Sequence, residues 1–381
     1  MKIIYCINSI RGLGGIQRVT LVKANALAEV AGNQVYLIVT DNWPYHKLIH
    51  EISDKITLIH LPINYYADDY KSRFQSLISN VKIFKHWRLL QKTINQIKPD
   101  VIISVGQSEK YILPFLHTKA IKIREIHFNS NYREFTYQTK WIGKLIQFID
   151  LKINTRGYDK VILLTEEDKK DNFANNNKFT AIHNPLTTRK LEYYKKREKK
   201  NVIAVGRLVL QKNFISLIRA WALIATQIPD WHLNIIGEGP ERERLQNEIS
   251  QLHLEKSITL KGFSNEVDKE LEQSSISIIT SVYEGFGLVI LEAMAMGLPV
   301  ISYTFPYGAR DIIENGTNGF LVPNQDEQSL AARILDLAQN EELRNRMGQA
   351  ALKRTHDFDI SLIIPKWMNL FKNEIQLKRR K

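Results

Sequence analysis

Two glutamates, Glu284 and Glu292, stand with seven residues between them, and the glycine turn Gly285-Phe286-Gly287 lies in that interval. An apolar run, Ile276–Ser281, leads into the turn, and a helical pattern opens from it at Leu288. Glycine lets the backbone approach a ligand closely. A helix start there would aim free N–H groups and the positive end of its dipole at the same point, which suits phosphate. Two carboxylates cannot both bind phosphate, but they can accept hydrogen bonds from sugar hydroxyls. The chemistry this segment suits is the binding of a sugar nucleotide.

Other loops at strand ends could complete such a site. Gly206-Arg207-Leu208 follows the run Val202–Gly206, and Lys212 lies a few residues on. A forked guanidinium and a point-charge ammonium would hold a diphosphate. By themselves they would read as a solvated surface pair, but the glutamate turn favours the phosphate reading. Gly237-Glu238-Gly239-Pro240 is mainly structural, with Pro240 in the first helical turn. Lys261-Gly262-Phe263 closes another strand and could line a base pocket through Gly262 and Phe263. In the first half, Gly12-Leu13-Gly14-Gly15 follows the first strand. It matches the first two glycines of a dinucleotide fingerprint, but Gln17 stands where the third belongs. Asp41 after the second strand keeps that alternative open, as does a glycine turn of purely packing function. His127, at the end of the run Ile121–Phe128, would face an inter-domain cleft, although most lone histidines are ordinary packed residues.

Strand and helix patterns alternate along the chain, implying parallel sheets with crossover helices. In the first half, strands are expected over Lys2–Asn8, Gln34–Thr40, Ile56–Leu61, Val101–Val105, Ile121–Phe128 and Lys160–Thr165. Helices are expected over Ile16–Ala31, Val81–Ile97 and Lys140–Asn154. In the second half, strands are expected over Val202–Gly206, His232–Gly237, Ile258–Gly262, Ile276–Ser281, Pro299–Tyr303 and Phe320–Val322, with helices throughout from about Asp326. The segment from Asn184-Pro185 to Lys200 reads as a linker. The expected domains are 1–185 together with a C-terminal helix of about 358–381, and 186–357.

At 381 residues, with 44% hydrophobic and 24% charged side chains, the chain is long enough for two cores. Its one cysteine, Cys6, sits in the first apolar run, and its ten histidines are scattered, so no metal-ligand spacing arises. The N-terminus lacks a signal-peptide pattern and no run reads as a membrane span. A soluble, cytoplasmic chain is expected. The net charge of +13 is uneven: +10 over 1–185, +5 over 186–200, −7 over 201–365 and +5 over 366–381. A basic first half suits an anionic surface or partner, or is lysine bias on solvated faces. No nucleic-acid motif accompanies it.

The segment Glu284–Val300 resembles the Glu-x7-Glu signature of glycosyltransferase family 4. Gly206-Arg207-Leu208 with Lys212, the Gly237–Pro240 turn, Asn315-Gly316-x-Asn318-Gly319-Phe320 and the Gly12–Gly15 loop are similar too. Tyr307-Gly308-Ala309-Arg310 looks like the branch that decorates polysaccharides and wall polymers. The resemblance implies a GT-B fold, with two Rossmann-like domains facing across a cleft and a C-terminal helix crossing back to the first. The first domain would bind acceptor and the second donor. It implies a retaining, metal-independent hexosyltransferase using a UDP- or GDP-sugar and needing no cofactor. Arg207 and Lys212 would neutralise the diphosphate, Glu284 would contact the sugar and Glu292 the ribose. The backbone at Gly206, Gly262–Phe263 and Gly285, Phe286, Gly287 and Leu288 would line the donor. His127, Gly14 and Gly15 would approach from the first domain. The acceptor would be a lipid-linked glycan or surface polysaccharide, with the enzyme cytoplasmic or peripheral at the inner membrane face, and no nucleic acid involved. Epimerase or phosphorylase chemistry on the same fold, and a non-catalytic sugar-nucleotide binding module, are the alternatives.

Overall fold

A computed structural model describes all of the chain except residues 11–13, 42–50, 66–72, 107–108, 133–139, 197 and 381; over 73–81 and at 140 it describes backbone only. The chain divides into two units: Met1–Pro185 with Ile360–Lys381, and Leu186–Asp359.

The first unit is built on a seven-stranded parallel sheet. Its strands are β1 (Lys2–Ile7), β2 (Gln34–Val39), β3 (Ile56–His60), β4 (Val101–Ser104), β5 (Ile121–Glu125), β6 (Lys160–Leu163) and β7 (Phe179–Ala181). The order is β3-β2-β1-β4-β5-β6-β7. The central strands are apolar at consecutive positions because both faces are covered. On β1, Ile3, Tyr5 and Ile7 point to one core, and Ile4 and Cys6 to the other. The first core is closed by the helix Gly15–Glu29 and the C-terminal helix Ile360–Arg379, which inserts Ile363, Trp367 and Phe371 at four-residue spacing. The second core takes Leu90 and Ile94 from the helix Arg73–Ile97.

The second unit has a six-stranded parallel sheet of order β10-β9-β8-β11-β12-β13. These strands are β8 (Asn201–Val205), β9 (His232–Ile236), β10 (Ile258–Gly262), β11 (Ile276–Ile279), β12 (Val300–Tyr303) and β13 (Gly319–Val322). Strand order reverses between β8 and β11, the position where open sheets of this kind place ligands beyond the carboxyl ends of the strands.

Several expectations change. The strand expected to Phe128 ends at Glu125, although the Ile126 amide still donates to Ile162 O at 2.9 Å. The helix expected from Val81 begins at Arg73. The one expected over Lys140–Asn154 is α-helical to Phe148 and then widens into a π turn, Ile149–Ile153. The helix Glu166–Phe173 was not anticipated, despite a capping signal: Thr165 accepts from the Asp168 amide, with three acids in the first turn. The segment after Pro185 is not a free linker. Leu191 N donates to Ala295 O, Thr188 bonds Asp268, and Lys190 pairs with Asp359, Lys195 with Glu272 and Lys196 with Glu341. Its basic residues find acidic partners across the second unit.

Candidate functional site

At the reversal point of the second sheet, two loops are stitched together. After β8 the chain runs through Gly206 and Arg207 into the short 3-10 turn Leu210–Lys212, and Asn213 then adopts a left-handed conformation before the helix Phe214–Ala222. The loop after β11 packs beside it. Val282 N donates to Gln211 O at 2.8 Å, Gln211 Nε2 donates to Tyr283 O at 2.8 Å, and Thr280 Oγ1 donates to Lys212 O at 2.9 Å. These bonds fix Lys212 opposite Glu284. Lys212 Nζ donates to Glu284 Oε1 at 2.5 Å, and Ser281 Oγ donates to the same oxygen at 2.7 Å.

The lysine stem crosses Gly206, where a Cβ would come within 3.1 Å of Lys212 Cε. The Gly206 loop is itself braced by the next turn. Gly206 N donates to Ile236 O, Leu208 N to Glu238 O and Gly237 N to Gly262 O. Gly237 has φ +145°, and a Cβ there would fall 1.9 Å from Gly206 O. No other residue type fits that approach.

Arg207 is exposed beside this turn. Its charge reaches Tyr283: burial raises the Tyr283 phenol pKa, Glu284 raises it further, and Arg207 opposes both. Beyond Glu284, Gly287 takes φ +92° and leads into the helix Leu288–Ala295. Phe286 is buried, and its carbonyl would lie 2.2 Å from a Cβ at Gly308, so the glycine turn is held against a second tight loop. Glu292 is buried on this helix and is its only acid.

Lys212, Glu284 and Gly206 are therefore joined by direct contacts, with Arg207, Gly285–Leu288 and Glu292 on the same two loops and the helix they open. Gly262 ends β10, two strands from β8 in the same sheet, and Phe263, which follows it, is exposed.

The remaining candidates lie in the first unit. Gly14 and Gly15 are exposed where the first helix begins, and Gly12 falls outside the described residues. Gly14 has extended backbone, so its conformation does not demand glycine. Asp41 accepts from the Tyr65 amide at 2.6 Å, so its carboxylate has a structural role. His127 is buried, with Nε2 3.3 Å from Glu125 Oε1. Glu125 is also bonded by Lys23, whose ammonium lies 4.9 Å from the Trp367 ring centroid. Burial would raise the Glu125 pKa, but Lys23 and then His127 outweigh it and hold it down at about 2. Burial lowers the Lys23 pKa, and Glu125 opposes that shift.

Lys23, Ser281 and Gln211 were missed from sequence. Lys23 carried a signal: it lies four residues from both Val19 and Leu27, within the buried stripe of its helix. Among the described residues, no group of three His, Cys, Asp or Glu side chains could hold a metal ion. No described helix is long and apolar enough to cross a membrane.

Two parallel α/β units, the second carrying this glycine turn and cation–carboxylate pair at its reversal point, have the GT-B fold. Residues 188–354 match the family described as glycosyl transferases group 1. An uncharacterized glycosyltransferase of Haemophilus influenzae is 28% identical over 374 residues, covering 97% of this chain and 99% of that protein. The poly(glycerol-phosphate) alpha-glucosyltransferase of Bacillus subtilis is 27% identical over 305 residues, covering 78% of this chain and 44% of that protein. Among solved structures, S. aureus TarM, crystallised with fondaparinux, alpha-GlcNAc-glycerol and UDP, superposes with a TM-score of 0.78. It is 18% identical and covers 97% of this chain and 99% of that one.

Proposed function

We propose that the chain is a retaining glycosyltransferase that moves a hexose or N-acetylhexosamine from a UDP- or GDP-sugar to a lipid-linked glycan or surface polysaccharide. The observation that carries this reading is the Lys212–Glu284 contact across the reversal point, directly before a helix that opens at Leu288. The names of the relatives, which include a poly(glycerol-phosphate) alpha-glucosyltransferase and an amylovoran biosynthesis glycosyltransferase, support a polymer acceptor.

Glycosyl transfer develops positive charge on the sugar ring and negative charge on the departing diphosphate. Arg207, Lys212 and the N-terminus of the helix Leu288–Ala295 offer fixed positive charge to the leaving group, worth about 3–4 kcal/mol per well-placed donor. We assign the neutralisation to these groups rather than to a metal ion. Glu292 accepts from the ribose hydroxyls. When the diphosphate engages Lys212, Glu284 exchanges its ammonium partner for the sugar hydroxyls. The departing phosphate takes the acceptor proton on the face from which it leaves, so neither carboxylate serves as a general base. We assign acceptor binding to the first unit, which carries His127, Gly14 and Gly15. That unit carries a charge of +15 against −2 for the second, in keeping with work at an anionic inner membrane face.

Incubation with a panel of UDP- and GDP-sugars, read by mass spectrometry, tests the reading. Slow donor hydrolysis, and transfer once an acceptor is supplied, are expected. Absence of both binding and hydrolysis for every common donor overturns it, and binding without either reaction turns it into a sugar-nucleotide sensor.

A further inference from the structure

The helix Lys140–Phe148 presents its apolar side outward. Trp141 is 66% exposed, Phe148 is 56% exposed, and Leu145 and Ile149 complete a stripe at i, i+4, i+7 and i+8. The π turn that follows adds exposed Ile153. In a globular helix this spacing normally marks the side turned to the core. Here the inward positions are taken by Gly143, Asp150 and Leu151.

A second segment extends the patch. Lys110 is 3.3 Å from Asp150, Tyr158 donates to Lys110 O at 3.1 Å, and Gly157 abuts Pro114, so the turn bearing Phe115 packs against the end of this stretch. Phe115 is 73% exposed. A contiguous apolar surface of this kind marks an interaction site.

The charge around the stripe identifies the partner. Residues 140–156 include Lys140, Lys144, Lys152 and Arg156, with Asp150 the only acid. Asp150 is buried and bonded by Arg124 at 2.9 Å, which leaves the stripe a basic rim. A second copy of the chain, docked by two-fold symmetry, would set like-charged rims against each other. The helix is too short to span a bilayer. An amphipathic helix with large apolar residues on one side and lysines beside them suits the plane of an anionic membrane.

We propose that this stripe docks the first unit on an anionic phospholipid bilayer. Trp141, Leu145, Phe148 and Ile149 enter the boundary of the acyl chains, and Lys144, Lys152 and Arg156 meet headgroup phosphates. The proposal deepens the lipid-linked-acceptor reading by naming the surface. It does not depend on turnover, since vesicle binding can be measured on a protein that transfers no sugar.

The test is co-sedimentation of the full chain with phosphatidylcholine vesicles, with and without phosphatidylglycerol. Binding is expected with the anionic lipid and should weaken as salt rises. A Trp141→Ser, Phe148→Ser double variant should lose vesicle partition on the order of tenfold or more. Lys144→Gln and Lys152→Gln should each cost about fivefold and flatten the salt dependence. Trp141, Lys144, Phe148 and Lys152 are all exposed, and a thermal melt checks that each variant is folded. Wild-type protein left in the supernatant at low salt overturns the proposal, as does equal binding by the Trp141/Phe148 variant. Light scattering that shows a dimer broken by that variant, without vesicle binding, overturns it in favour of self-association. Vesicle binding with no sugar transfer sinks the catalytic reading alone.

Discussion

Lys212 and Glu284 meet across the point where the second sheet reverses its strand order, with Nζ 2.5 Å from Oε1. The lysine follows β8 and the glutamate follows β11, so the contact bridges neighbouring strands that are distant in sequence. On the proposed reading, a ligand bearing both phosphate and hydroxyls would separate the pair.

Replacing Lys212 with alanine should therefore damage catalysis far more than folding. We expect kcat/KM to fall on the order of 100- to 1000-fold. Glu284 keeps its bond from Ser281, so the thermal midpoint should move little. Steady-state kinetics beside a thermal melt decide the matter, and a large drop in Tm with a small kinetic loss would rule out the assigned role.

Glu292 should act on donor affinity. Glu292→Gln keeps the shape and removes the charge from a buried acceptor. Loss of a charge-assisted hydrogen bond corresponds to about 1.5–3 kcal/mol, or a Kd raised roughly 10- to 100-fold. Titration calorimetry with UDP and GDP measures this, and unchanged affinity for both contradicts the ribose assignment.

Two glycines with positive φ should respond very differently to alanine. At Gly237 a Cβ would overlap the carbonyl of Gly206, whereas at Gly316 (φ +82°) nothing lies within 4 Å. Gly316→Ala should cost only the left-handed backbone penalty, about 1–2 kcal/mol. Gly237→Ala should cost more and should also impair turnover, because it displaces the loop holding Arg207. Denaturant unfolding of the two variants provides the comparison.

The buried pair Lys23–Glu125 should show strong coupling. Glu125→Leu alone leaves the Lys23 ammonium buried without its carboxylate, a loss of about 3–5 kcal/mol, and Lys23→Met leaves Glu125 with His127 as its remaining partner, whereas the double variant should recover much of the loss. A double-mutant cycle by urea unfolding measures the coupling, and additive losses would show that the contact contributes little.

Acid sensitivity should follow from the same carboxylate. Its folded pKa of about 2 lies below the ordinary value of 4.5. The stabilisation is thus fully present above pH 4.5 and is lost as pH falls towards 2. Glu125→Gln should flatten the dependence of unfolding free energy on pH in that window. An unaltered acid limb would show that other carboxylates dominate.

The parallel strands were legible because burial on both faces leaves nearly unbroken apolar runs, as at Val300–Tyr303. Glu284, Glu292, Arg207 and Lys212 were legible because each lies at a strand end beside a glycine turn or helix start. What linear spacing does not carry is pairing across the sheet. Lys212 and Glu284 were assigned to different parts of one ligand, and only the adjacency of β8 and β11 brings them into contact. The basic run after Pro185 looked solvated because its acidic partners, Glu272, Glu341 and Asp359, come from distant stretches of chain. His127 read as a lone strand-end histidine, and its tie to Glu125 depends on where the strand stops.

The return of helix Ile360–Arg379 to the first unit sets an order of assembly on the ribosome. Leu186–Asp359 has its whole interior in one continuous stretch and can consolidate as soon as it emerges. The older sheet, made first, must wait with a greasy flank uncovered until Ile363, Trp367 and Phe371 arrive to seal it. Synthesis that stalls before that point would leave a half-closed sheet, an obvious target for chaperones and proteases.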